Sequence, residues 1–74
     1  MVPTHVGEHR PDTIEEMIIW AVEASLHNVW KLETFIQDAD AAGNSELADW
    51  FRRIQENNRT AGQQGKEMLA QRLP

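Results

Sequence analysis

The side chains equipped for chemistry in this chain are its carboxylates and three histidines. Glu33 stands at helical spacing among apolar residues, with Val29 before it and Ile36 after it. A buried carboxylate is costly unless it is paired or holds an ion, so Glu33 is a candidate metal ligand in the centre of a helical bundle. The plainer reading is a carboxylate held by Asn58 or water, or one that emerges at a groove. Glu23 and His27 lie four apart, which on a helix lets both reach one ion. The same spacing also describes a solvated histidine beside an acid. His5 and His9 flank Glu8 with no helical geometry to gather them, and a metal site needs a defined ligand count and geometry. The metal candidates are Glu33, Glu23 and His27, for iron or another divalent metal; the plainer expectation is no cofactor.

Other chemistries find less support. Cysteine and tyrosine are both absent, which excludes disulfides, thiolate chemistry and tyrosyl acid–base work. The few Ser and Thr sit at helix caps or lack a histidine at a credible spacing, and no Gly-rich phosphate loop occurs. The expectation is a protein that is not an enzyme. A net charge of −5 argues against a phosphate-backbone binder. Arg52, Arg53 and Arg59 form a local basic edge, yet Asp49 and Glu56 sit among them as i,i+3 and i,i+4 partners. Neither nucleic acid nor membrane is expected as a partner. No apolar run approaches the ~18 residues of a membrane span. The opening residues lack the basic cap and apolar stretch of a signal peptide, so the expected location is cytoplasmic.

The elements that must position these residues are legible from punctuation. Residues 1–11 hold two of the prolines, show no periodicity, and read as an arm. Asp12 with Glu15, or Thr13 with Glu16, has capping-box spacing, and the acids suit the first turn of a helix. No glycine or proline follows until Gly43, which can take the left-handed C′ conformation. Asn44 or Ser45 caps a second helix. The expected fold is all-α, with residues 12–74 forming an antiparallel hairpin of helices over about 12–42 and 45–73.

Helix one carries a line of Ile19, Val22, Leu26, Val29, Glu33 and Ile36. Beside it run Ile14, Ile18, Ala21, Leu32, Phe35 and Ala39. Together they span roughly 200°, twice the ~100° one neighbour needs. Helix two has a narrower stripe: Leu47, Trp50, Phe51, Ile54, Asn58, Ala61, Gly65, Met68 and Leu69. Folding about Gly43–Asn44 pairs residues whose numbers add to about 87, such as Val22 with Gly65 and Glu15 with Arg72. One narrow stripe cannot cover the wide one, and a chain of 74 residues buries only roughly 60% of its surface. Dimerisation into a four-helix bundle is therefore expected. The interface is expected along Ile18, Val22, Leu26, Val29, Trp30, Leu32, Phe35 and Ile36. Asn57, Asn58, Ala61, Gly62 and Gly65 weaken helix two, each glycine by ~1 kcal/mol relative to alanine. Small residues there are expected to admit a bulky neighbour, such as a Trp of another chain.

The run from Ser45 to Leu69 resembles the second helix of a ferritin-like or rubrerythrin-like hairpin, whose "…EL…F…I…" pattern leads into a Glu-x-x-His metal motif. With Leu47, Phe51 and Ile54 matched, the family's Glu falls at Asn58 and its His at Ala61. The first-helix Glu falls near Ser25, with Glu23 as the closest carboxylate. The resemblance implies a hairpin that dimerises, with its usual metal motif degenerate, or rebuilt from Glu23, Glu33 and His27 across the dimer. The functional expectation is a small helical hairpin acting through self-association, as a homodimer or higher homo-oligomer, or through another protein partner. The alternative is a ferritin-like iron-binding protein.

Overall fold

A computed structural model describes residues 13–72, which form two packed helices, α1 (Ile14–Ala41) and α2 (Ser45–Arg72), of 28 residues each. The arm at residues 1–11, with its histidines, Asp12 and Leu73 lie outside the described residues. α1 begins two residues after and ends one residue before the limits expected from sequence, and α2 begins at Ser45 as expected.

The caps explain the boundaries. Thr13 is extended, and its Oγ1 accepts a hydrogen bond from the Glu16 backbone N–H at 3.0 Å, so the Thr13 register of the cap is the one used. At the other end of α1, the Gly43 N–H donates to the Asp40 carbonyl at 3.0 Å and the Asn44 N–H to the Ala39 carbonyl at 2.9 Å. This is a Schellman turn, and it holds Gly43 at φ +73°, where a side chain would be strained. Asn44 then caps α2 through its Oδ1, which accepts from the Leu47 N–H at 3.1 Å. Three linking residues thus satisfy the end of one helix and the start of the next.

The seam between the helices follows a seven-residue repeat. On α1 its a and d positions are Glu15, Ile18, Val22, Ser25, Val29, Leu32, Ile36 and Ala39; on α2 they are Ala48, Phe51, Gln55, Asn58, Gly62, Gly65, Leu69 and Arg72. Every one of these residues is buried or half-buried except Arg72. Facing residues have numbers that add to 87, as the turn at Gly43 predicts. The outermost pair, Glu15 and Arg72, forms an ion pair at 3.6 Å. The driest part of the seam lies toward the turn, at Leu32, Ile36, Ala39 and Ala48, with Ala48 fully buried.

The glycines of α2 belong to this seam. A Cβ on Gly65 would collide with Val22 Cγ2, and one on Gly62 would come within 3.2 Å of Leu26 Cδ2. The bulky neighbours expected from sequence are therefore Val22 and Leu26 of the chain's own first helix. Among the described residues no helix is long and apolar enough to cross a membrane.

Candidate interaction surface

The residues flanking the seam make the two sides of the hairpin different. In an antiparallel pair, e positions flank e positions and g positions flank g positions. The e side carries Ile19, Leu26, Glu33 and Asp40 from α1, facing Arg52, Arg59 and Lys66 from α2. Arg52 spans the helices there, donating to Asp40 Oδ2 at 2.6 Å and to Asp49 Oδ1 at 2.9 Å. Asp40, chiefly, and then Asp49 hold its guanidinium above its ordinary pKa. All three side chains are about half exposed or more, so these pairs add little stability and tie the surface mainly to water.

The g side carries Ile14, Ala21, Asn28 and Phe35 from α1, facing Leu47, Ile54, Ala61 and Met68 from α2. It holds no formal charge. At the turn end, Phe35, Leu47 and Phe51 line an open groove with Asp38 at its edge. Phe51 joins the rings of this end, its centroid 5.6 Å from Phe35 and 5.5 Å from Trp50. At the open end, Ile14, Met17, Ala21, Ala61 and Met68 line a second groove. Between the grooves Asn28 Nδ2 donates to Asn58 Oδ1 at 3.4 Å, while Asn58 Nδ2 donates to the Ile54 carbonyl at 2.9 Å.

Exposure along this side is high for apolar side chains. Ile14, Met17, Trp50 and Met68 are each half exposed or slightly more, and Phe35 is 40% exposed. Apolar side chains thus remain exposed at both ends of this side, with Asn28 and Asn58 between them.

The expected interface residues divide among four surfaces. Leu32 and Ile36 are buried within the hairpin's own seam and have almost no surface left for another copy. Ile18, Val22 and Val29 are half-buried in that seam. Phe35 lies on the g side, Leu26 on the e side, and Trp30 on the outer face of α1, where its ring sits 5.9 Å from that of His27. Leu47, Trp50, Ile54 and Met68 are absent from that expected set; their place in the stripe of helix two was the available signal.

The metal candidates do not converge. Glu33 is an e residue and exposed, so it is off the core line where its spacing placed it. Its partner is Gln55 rather than Asn58: Gln55 Nε2 donates to Glu33 Oε2 at 2.9 Å and to the Val29 carbonyl at 3.0 Å. Gln55 is only 7% exposed, and these two bonds use both N–H groups of its amide. Glu23 and His27 are exposed on the outside of α1. Among the described residues no three His, Asp or Glu side chains gather into a group able to hold an ion. Asn58 and Ala61, where the ferritin-like pattern would put its Glu and His, serve the seam and the g side instead. No family model, curated protein or solved structure matches the chain.

Proposed function

We propose that this protein is a self-association module, whose g side packs against a second copy to form a four-helix bundle. The observation that carries this reading is the g side, uncharged at its g positions, apolar at both ends and running the length of both helices, with Lys31 and Asp38 as the charges on the line beside it. Its size suits the role. Helices of 28 residues at ~1.5 Å per residue are roughly 42 Å long, and two of them side by side are about 20 Å wide. That footprint is on the order of 800 Å², what one partner contributes to a standard stable interface. The hairpin alone has a single seam, filled on α2 by Gln55, Asn58, Gly62 and Gly65 through its middle and far end. A second layer of helices supplies the apolar burial those residues cannot.

The test is light scattering on the purified chain across a concentration series. Self-association predicts a mass of twice 8.5 kDa at micromolar concentration and a melting temperature that rises with protein concentration. A folded species of 8.5 kDa with a concentration-independent melting temperature overturns the proposal. An obligate complex with a different protein would show itself as a monomer that folds only when that partner is added.

A further inference from the structure

Building on that self-association, the geometry points to one arrangement of the two copies: each α1 lies over the α2 of the other, with both turns at the same end. Two symmetric ways of stacking g side on g side exist. A twofold axis along the helices places α1 over the second copy's α2, antiparallel to it. A twofold axis across the helices places α1 over α1 and α2 over α2, with the turns at opposite ends.

Charge separates the two. α1 carries Glu15, Glu16, Glu23, Glu33, Asp38 and Asp40 against Lys31 alone, a net of −5. α2 carries Glu46, Asp49, Glu56 and Glu67 against Arg52, Arg53, Arg59, Lys66 and Arg72, a net of +1. Most of these charges lie off the stacked face and act from a distance: stacking α1 on α1 brings together two helices of net −5, whereas stacking α1 on α2 brings a net of −5 beside a net of +1.

Side-chain type separates them again. The positions that meet a second layer are g and c, a line that on α1 runs from Ile14 to Asp38 and on α2 from Leu47 to Gln71. With the turns together, Phe35 meets Trp50 of the second copy, Met17 meets Met68, Ala24 meets Ala61, and Asn28 meets Asn57. In these four pairs large meets large, small meets small and amide meets amide; the other four, Ile14 with Gln71, Ala21 with Gln64, Lys31 with Ile54 and Asp38 with Leu47, join unlike residues. With the turns apart, Ile14 meets Asp38 and Ala21 meets Lys31 on α1, while Leu47 meets Gln71 on α2. Both arrangements set Lys31 and Asp38 against apolar side chains, so the separation rests on the pairs of like type, four with the turns together against two, Met17 with Phe35 and Trp50 with Met68, with the turns apart.

The chain has no cysteine, so one introduced thiol reports on one site. A spin label at Ala41→Cys sits on the exposed last residue of α1, beside the turn. Glu46→Cys, in the first turn of α2, provides a second, independent site should the first disturb folding, with helicity checked by circular dichroism. Pulsed dipolar spectroscopy on the full chain, with mass measured on the same sample, then reads the arrangement. Turns at the same end predict a dimer with a label separation of roughly 25–35 Å from helix spacing and label reach. A dimer with separations beyond about 45 Å, set by the length of the helices, overturns the arrangement and leaves self-association standing. A monomeric mass overturns both.

Discussion

The e and g sides of this hairpin are made by the same two helices and flank the same seam, yet one is closed by charge and the other is left apolar. On the e side Arg52 pairs with Asp40, Glu33 accepts from Gln55, Arg59 donates to Glu56, and Leu26 packs against Gly62. On the g side Phe35, Leu47, Trp50 and Met68 have no such outlet. The difference teaches that amphipathicity in a two-helix protein has to be read around the pair. Each helix taken singly looks broadly apolar on one face; only their pairing shows that part of that face is consumed and part remains.

The seam common to both sides gives the most drastic way to test the contrast. Ile36→Asp puts a carboxylate where the side chain is only 5% exposed, and should unfold the hairpin with loss of the helical circular dichroism signal, since a buried unpaired charge costs several kcal/mol or more. Survival of the fold would mean that the seam contributes less than the geometry implies.

The contrast itself is tested by two residues of equal exposure. Phe35 and Leu26 are both 40% exposed, on the g and e sides respectively. Phe35→Asp should lower the self-association constant about tenfold or more, because a symmetric dimer loses twice the burial of a side chain left 40% exposed in the hairpin, about 0.6–1.2 kcal/mol each. Leu26→Asp should leave the association constant within a few-fold and cost the hairpin about 1–2 kcal/mol, the part of a 40%-exposed side chain that the hairpin already buries. Sedimentation equilibrium distinguishes them, and equal losses would erase the distinction between the sides.

The glycines sharpen the comparison at smaller amplitude. Gly65→Ala meets Val22, whose β-branched side chain is stiff in a helix. Overpacking of about 1–3 kcal/mol should outweigh the ~1 kcal/mol gain in helix propensity, so urea denaturation should show a net loss. Gly62→Ala meets only the tip of the partly exposed Leu26, which can turn toward solvent on the e side. There the propensity term should prevail and raise stability by up to about 1 kcal/mol. The smallest change is expected from Glu33→Gln: the amide keeps an oxygen for Gln55, and stability should stay within about 0.5 kcal/mol. A larger loss, or a metal that is bound by the unsubstituted chain and absent from Glu33→Gln, would restore Glu33 as a ligand.

Much of the fold was legible because its signals are local. Thr13, Gly43 and Asn44 announce the helix ends by their own chemistry, and a turn at Gly43 fixes which residues face each other, down to the Glu15–Arg72 pair. The rotation of each helix about its axis was not legible. On helix one, the line through Ile19, Leu26 and Glu33 is as regular as the true seam through Ile18, Ser25 and Leu32, and each holds two aliphatic residues and one polar one. On helix two, the seam uses Gln55 and Gly62, which hydrophobicity cannot flag, while the apolar Leu47, Trp50, Ile54 and Met68 advertise a face the hairpin does not bury. A polar or glycine residue in the seam is recognised by what stands opposite, and a single sequence shows each helix without its neighbour. The misplacement of Glu33 in the core, and with it the metal reading, came from that rotation.

The uneven seam also gives the hairpin a direction. Pairs near the turn, such as Ala39 with Ala48, are close in sequence and form with little loop-closure entropy; Glu15 and Arg72 close nearly the whole chain. The well-buried aliphatic residues lie at the near end, and the glycines and the exposed ion pair at the far end. Formation should therefore zip outward from the turn, and opening should begin at the far end without disturbing the turn. Backbone amides of Leu32 to Ala39 would exchange with solvent through global unfolding, while those flanking Gly65 would exchange through local fraying, so that the hairpin behaves as a hinge with a fixed end and a breathing end.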